Sequence, residues 1–191
     1  MKANYPVEFM AAVMTSESND EEKIYAAVEE CKKIGVSVLP PDVTESYGDF
    51  TVIDEHTIRF GLRAIKNLGS DVVRKIIDSH KSGVVFESLE HFLTESYTKS
   101  FNKRSWEALA KSGALDRFGD RGQLLASTEH VLDFLRDQFK QDNIGQSSLF
   151  GASLQVGKLK LKTEIPLATM EEKLGWEKEH LGLFVSAHPL D

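Results

Sequence analysis

Apolar residues recur at helical spacing through the first third of the chain. Residues 7–14 carry one apolar stripe behind Pro6, and residues 21–34 carry a second one that stops before Gly35. Proline suits the first turn of a helix, and glycine suits the position just after its end. The pattern therefore predicts two helices, joined by a polar turn at residues 16–20.

Short extended segments follow these two helices. Residues 36–39 are apolar or small and stop at a pair of prolines. Residues 50–53 and 57–60 flank the polar run Asp54-Glu55-His56, which predicts a small β-hairpin. His56 would then be a solvated residue at the tip of the hairpin.

Helical patterns return after Gly61 and alternate with glycine-bearing turns until about residue 140. Residues 142–151 are polar and predict a loop. Lysine and leucine alternate over residues 158–162, which predicts a strand with a solvated lysine face, and residues 168–185 predict a last amphipathic helix. The predicted fold class is mainly α: short helices with tandem helix-hairpin-helix motifs and a small β-hairpin.

The cysteine content indicates the cellular compartment of the protein. Cys31 is the single cysteine, so the chain forms no internal disulfide and no zinc site of cysteine pairs. This fits a reducing compartment, and we expect a cytoplasmic protein. Its apolar runs are too short to span a bilayer.

Charge is distributed unevenly along the chain. Residues 1–56 carry 4 Lys and Arg against 12 Asp and Glu, residues 57–111 carry 10 against 6, and residues 112–191 carry 9 against 12. The net charge is −7, yet the middle segment is basic. A basic segment between acidic flanks indicates either a surface that faces phosphates or a chance fluctuation.

The basic segment contains the first candidate motif. A short helix to about Lys66 would be followed by a tight turn at residues 67–70 and by a helix starting near Asp71. Glycine in such a turn lets a ligand approach the backbone, and the following helix N-terminus offers free N–H groups to a phosphate. The candidate DNA-binding residues here are Lys66, Asn67, Leu68, Gly69, Ser70, Arg74 and Lys75.

A second copy of the pattern follows. Asn102 can cap a helix that contains Trp106, and a glycine-bearing turn at residues 112–115 leads to Asp116. Two such motifs would hold one duplex at two places. The candidate DNA-binding residues here are Lys103, Arg104, Lys111, Ser112 and Gly113. Alternatively, both turns only connect helices that pack against each other, because such turns have the same sequence pattern.

The polar loop contains an apolar pair that needs a partner. Leu149 and Phe150 lie between Gly145 and Gly151, and an exposed pair of this kind costs hydration unless something buries it. Burial would be worth about 1.5–3 kcal/mol for each side chain. The motif predicts either a short peptide that docks in a hydrophobic groove or a loop folded onto its own core. Its residues are Gln146, Ser147, Ser148, Leu149 and Phe150.

Several stretches together resemble one known family, the alpha subunit of bacterial DNA polymerase III. They occur in the family's order along nearly the whole chain, and residues 146–150 resemble its sliding-clamp-binding pentapeptide Gln-x-x-Leu-Phe. Family members often have glycine at the positions of Arg63 and Asn67. The stretches are residues 4–12, 38–43, 58–62, 64–66, 112–116, 145–151, 179–182 and 188–191.

The resemblance implies a division of the chain and a set of partners. Residues 1–56 would end the fingers domain, 57–141 would form the tandem helix-hairpin-helix region, 142–151 the clamp-binding loop, and 152–191 a linker and helix leading to an oligonucleotide-binding fold. The implied partners are double-stranded DNA, the beta sliding clamp, and the other domains and subunits of the polymerase, with no membrane.

The resemblance places the polymerase chemistry elsewhere. Family members extend primers with metal-bound aspartates, and the parent enzyme would use magnesium. The sequence has no Asp-x-Asp, no phosphate loop and no metal-spaced histidines. We therefore expect no catalytic residue and no cofactor in this segment. The alternative is a structural, protein-binding helical module that does not bind DNA.

Overall fold

The computed structural model describes residues 5–144 and 158–186, with the side chains of residues 140–144 left out. The first two helices form where the apolar stripes predict them. Helix α1 spans Pro6–Ser16 and α2 spans Glu21–Lys33, with Asp20 capping α2 by accepting a hydrogen bond from the Lys23 amide. Gly35 takes a φ of 78°, so it ends α2 as predicted.

Three short strands form one mixed sheet. They are β1 (Ser37–Leu39), β2 (Thr51–Asp54) and β3 (Thr57–Arg59), in the order β1-β3-β2. The predicted hairpin of β2 and β3 is confirmed as an antiparallel pair, and β1 joins β3 in parallel. The predicted division between residues 56 and 57 falls inside this sheet.

The rest of the described chain is helical. A single 3₁₀ turn, Leu62–Ala64, precedes α3. The helices that follow are α3 (Ser70–Lys81), α4 (Leu89–Ser96), α5 (Lys103–Lys111), α6 (Arg121–Ala126), α7 (Thr128–Ile144) and α8 (Met170–Leu181). The mainly α fold class is confirmed. No helix among these residues is long and apolar enough to cross a bilayer.

Two predictions for the last part of the chain were wrong. Residues 158–162 form no strand, because their backbone bonds to side chains of the preceding helices: the Lys162 amide donates to Ser127 Oγ at 2.8 Å, and His130 Nδ1 lies 3.0 Å from the Lys160 carbonyl oxygen. Helix α8 ends at Leu181 rather than at residue 185, because Gly182 takes a φ of 80°.

One hydrophobic core joins the described elements. It runs from Val7 in α1 through the sheet and helices α2–α7 to Leu183 after α8. Trp106 belongs to this core and is fully buried, with its indole Nε1 donating to Thr128 Oγ1 at 3.2 Å. Its burial gives this tryptophan a core role rather than a base-stacking one. This shared core fixes the basic segment to both flanking regions.

Candidate nucleic-acid interface

The turn before α3, residues 66–70, has a different geometry from the predicted one. The sequence placed a tight turn at residues 67–70 and relied on the glycine there for backbone freedom. Gly69 is extended, with φ −64° and ψ 140°, whereas Asn67 takes a φ of 66°. Asparagine tolerates the left-handed region better than most residues because its short polar side chain can bond locally. We call residues 66–70 the first turn.

Helix α5 holds Asn67 in this conformation. Asn67 Oδ1 accepts hydrogen bonds from Arg104 Nε, at 3.0 Å, and from Arg104 Nη2. Arg104 was predicted as a phosphate contact, and the structure gives it a bond to the first turn as well. Its guanidinium is exposed and has five donors, of which two are used here. Arg104 therefore joins the two predicted motifs.

The N-terminus of α3 is open to solvent. Gly69 is the residue before the helix and has no side chain with which to cap it. Gly69, Ser70 and Asp71 are exposed, and a Cβ built at Gly69 would meet nothing within 4 Å. The first backbone N–H groups of a helix have no partner within the helix. A phosphate can therefore approach them along the positive end of the helix dipole.

Basic side chains surround this helix end. Lys66 Nζ lies 2.5 Å from Glu21 Oε1, Arg74 pairs with Asp71, and Lys75 has no ion-pair partner among the described residues. The paired lysine and arginine are at least one-third exposed. Exposed pairs are worth only about 0–1 kcal/mol, so a phosphate can compete for these cations.

The structure adds residues that sequence reasoning missed. The loop between α4 and α5 brings Lys99 and Ser100 beside α3. Ser100 Oγ donates to Asp71 Oδ2 at 3.4 Å, and Lys99 is exposed with no ion-pair partner in the described chain. A cleft of ≈ 400 Å³ separates this loop from α3. The signal was present, because Lys99 lies in a polar run within the basic segment.

The turn after α5 is built differently. Asn102 caps α5 as predicted, by accepting a hydrogen bond from the Ser105 amide at 3.1 Å. The next helix, α6, begins only at Arg121, so residues 112–120 form a longer connection than predicted. We call this connection the second turn.

The first part of the second turn, residues 112–115, faces the interior. Ser112, a predicted DNA-binding residue, is fully buried and donates its hydroxyl to the Leu109 carbonyl at 3.1 Å, so its side chain is directed inward. Gly113 has a φ of 85°, and a Cβ built there would lie 2.5 Å from Arg121 Nη2. Lys111 Nζ lies 3.6 Å from Glu179 Oε2 and is mostly covered. No ligand can approach Gly113 from the side that Arg121 fills.

Arg121 is the centre of a buried ion-pair network. Its Nε and Nη2 donate to Asp116 at 2.9 and 2.8 Å, and its Nη1 donates to Glu177 Oε1 at 3.0 Å. Arg121 is 2% exposed and Glu177 is fully buried. The second carboxylate oxygen of Glu177 accepts from the amides of Val185 and Ser186. Sequence alone gave no sign of this pairing, because the partners are 56 residues apart.

Two pKa shifts follow from this environment. Burial would lower the pKa of Arg121, but hydrogen bonds and charge from Asp116 and Glu177 outweigh it and raise the pKa. Burial would raise the pKa of Asp120, but hydrogen bonds from the Ala168 amide, Lys173 and the Gly122 amide lower it. Both groups are therefore held in their charged forms around the second turn.

The predicted clamp-binding residues, Gln146 to Phe150, lie outside the described part of the chain. They fall between the end of α7 and residue 158. In the described ranges, no group of three or more His, Cys, Asp or Glu residues is arranged to hold a metal ion.

Comparison with known proteins identifies relatives of the chain. A family model described as a helix-hairpin-helix motif matches residues 35–124. The DNA polymerase III subunit alpha of Thermus aquaticus is 42% identical over the whole chain, and those of Deinococcus radiodurans and Escherichia coli K12 are 41% and 34% identical. The chain is homologous over its whole length to part of the DNA polymerase III alpha subunit.

The match concerns a segment of these polymerase subunits. The chain spans about 15% of the length of the Thermus subunit, 14% of the Deinococcus subunit and 17% of the Escherichia coli subunit. The region that matches the helix-hairpin-helix family runs from just before β1 to Leu124 in α6. It therefore contains both turns.

Proposed function

We propose that this segment of a polymerase III alpha subunit binds the phosphate backbone of duplex DNA during replication in the cytoplasm. One observation carries the proposal. The uncapped N-terminus of α3 is exposed directly after a turn that Arg104 holds in place. Lys75 and Lys99 flank it without ion-pair partners in the described residues. Free N–H groups and cations without ion-pair partners together suit a phosphate.

Contacts of this kind position a duplex without selecting its sequence. Backbone amides and basic side chains bind phosphates, which every sequence carries. Binding releases counterions, so the affinity should fall as salt rises. The net charge of −7 opposes the approach of DNA, so we expect weak binding by the segment alone, best seen at low salt.

A matched pair of variants tests this surface. Arg74 in α3 and Arg136 in α7 are both exposed and each pairs with an aspartate three residues earlier. We expect Arg74→Ala to weaken duplex binding about threefold to tenfold and to lower the salt slope by about one. Arg136→Ala makes the same change of charge outside the surface and should leave affinity unchanged. Fluorescence anisotropy measures both.

The runner-up function is a structural, protein-binding helical module. The buried second turn supports it, because Arg121 makes that turn a packing corner. A flat anisotropy titration of the wild-type chain with duplex DNA at low salt would favour this alternative. Equal losses in the Arg74 and Arg136 variants would show that only overall charge matters, which also contradicts the proposed surface.

We further propose that residues 146–150 bind the beta sliding clamp. The support is the sequence: Leu149 and Phe150 are an apolar pair in a polar, glycine-flanked run, and Gln146 can supply amide hydrogen bonds. Calorimetry with purified clamp should show that Leu149→Ala with Phe150→Ala abolishes binding. Ser147→Ala with Ser148→Ala is the control with the same number of changes and should bind normally. Unchanged affinity in the first variant would reject the assignment.

The segment would thus contribute binding while other parts of the polymerase supply the chemistry. We propose that it has no catalytic residue and needs no cofactor of its own. A primer-extension assay of the chain alone with magnesium and deoxynucleoside triphosphates tests this. Any template-dependent extension would overturn it.

A further inference from the structure

Helix α8 is bonded to the first turn by an arrangement that the proposed function does not use. The Lys66 amide donates to the His180 carbonyl at 2.9 Å, and the His180 side chain returns to the Lys66 carbonyl, with Nδ1 3.3 Å from the oxygen. The two residues are 114 positions apart. Each residue therefore both donates to the other and accepts from it.

The surroundings of His180 define its protonation. His180 is 3% exposed. Nδ1 faces a carbonyl oxygen, which accepts only, so Nδ1 carries the proton. Nε2 is buried and has no hydrogen-bond partner among the described residues, and Glu179 Oε1 lies 3.6 Å from it. The neutral imidazole with its proton on Nδ1 fits this site, because the Nε2-protonated tautomer could not donate to Lys66 and burial lowers the pKa of His180.

The bond acts next to the residue that bends the chain. Lys66 directly precedes Asn67, whose side chain is held from the other side by Arg104. The first turn is thus fixed at two adjacent residues by helices that come later in the sequence, α5 and α8. A turn held in its bound conformation loses less entropy when a ligand binds.

We propose that His180 is a positioning residue: through the Lys66 carbonyl it fixes the first turn so that the N-terminus of α3 is presented to a DNA phosphate. His180 is too buried to touch DNA itself. The DNA part of this inference rests on the proposed function, whereas the fixing of the turn does not depend on DNA.

Three substitutions at His180 separate positioning from packing. Asparagine places an amide nitrogen near the position of Nδ1 and keeps the donor to Lys66. Glutamine places its amide near Nε2 and lacks that donor, and alanine removes both. We expect H180A and H180Q to weaken duplex binding about threefold to tenfold, the worth of one lost hydrogen bond, and H180N to restore it to within about twofold of wild type.

Two further measurements complete the test. The salt slope of binding should be unchanged in all three variants, because no phosphate contact is removed. Hydrogen exchange of the amides of residues 66–70 should be faster in H180A and H180Q than in wild type and H180N, with or without DNA. Comparing the variants well below their melting temperatures excludes global unfolding as the cause.

The outcomes distinguish the two proposals. If the wild-type chain binds no DNA but hydrogen exchange at residues 66–70 is faster in H180A and H180Q, the DNA function is rejected. The positioning role within the turn is then retained. Exchange rates at residues 66–70 that are equal in all variants overturn the positioning role, whatever the DNA affinity. Glutamine rescuing as well as asparagine also overturns it, because the Nδ1 donor would then be unnecessary.

Discussion

The two turns have similar sequences and opposite environments. Each places a glycine between two helices, at Gly69 and Gly113. The space beside Gly69 is open, while the space beside Gly113 is filled by the Arg121 guanidinium. Helix α3 has no side-chain cap, whereas α6 is capped by Asp120, whose Oδ1 accepts from the Gly122 amide at 2.9 Å. A glycine between helices thus marks a connection, and the side chains around it decide whether that connection can bind a ligand.

The largest effect on stability should come from removing the Arg121 guanidinium from the second turn. Arg121→Met leaves Glu177 buried without its counter-charge, and breaking such a pair costs about 3–5 kcal/mol. Urea denaturation should show the midpoint falling with the slope unchanged. Arg136→Met removes an exposed ion pair and serves as the control, with a cost of about 0–1 kcal/mol. Similar losses in the two variants would mean that Arg121 does not support the second turn.

The next effect compares the two glycines directly. Gly113→Ala forces a side chain into the left-handed region and against Arg121, and should cost about 2–4 kcal/mol of unfolding free energy. Gly69→Ala meets no atom and has an ordinary φ, so we expect a cost below about 1 kcal/mol. Urea denaturation of both variants measures the contrast. Equal costs would contradict the assigned difference between the turns.

Sequence reasoning succeeded where short-range rules decide the structure. Gly35 and Asn102 are helix-end residues whose conformation depends on neighbours a few positions away, and both predictions were confirmed. It failed where a distant partner decides. The pairing of Arg121 with Glu177 and the bonds that replace a strand at residues 158–162 involve segments far apart in the chain. Asn67 lies between these cases, because Arg104 completes a conformation that asparagine already tolerates.

A smaller effect concerns how the first turn is held. Asn67→Ala places alanine in the left-handed region and should cost about 1–2 kcal/mol. Asn67→Gly keeps that conformation and removes only the acceptor for Arg104, so its stability should stay within about 1 kcal/mol of wild type. Both variants should bind duplex DNA more weakly in anisotropy titrations. A glycine variant with wild-type affinity would show that the bond to Arg104 does not matter for binding.

The smallest expected effect is the pH dependence of stability that Asp120 gives to the capped helix, α6, and that the uncapped helix, α3, lacks. The pKa of Asp120 is lowered in the folded chain, because the bonds from Ala168, Lys173 and Gly122 outweigh the effect of burial. The unfolded chain therefore takes up this proton first as the pH falls. The stabilisation is complete well above the ordinary aspartate pKa of about 3.9 and is lost as the pH falls through the folded value.

Asp120→Asn should consequently lower the unfolding free energy at neutral pH and reduce its decline below about pH 4. Thermal denaturation between neutral and acidic pH measures this slope. Asp133→Asn, which removes an exposed carboxylate from α7, is the control. Its unfolding free energy should decline at acidic pH as in wild type. If Asp120→Asn left the decline of stability at acidic pH unchanged, the charge of Asp120 would not maintain the cap of α6. The electrostatic difference between the two helix ends would then depend on Gly69 alone.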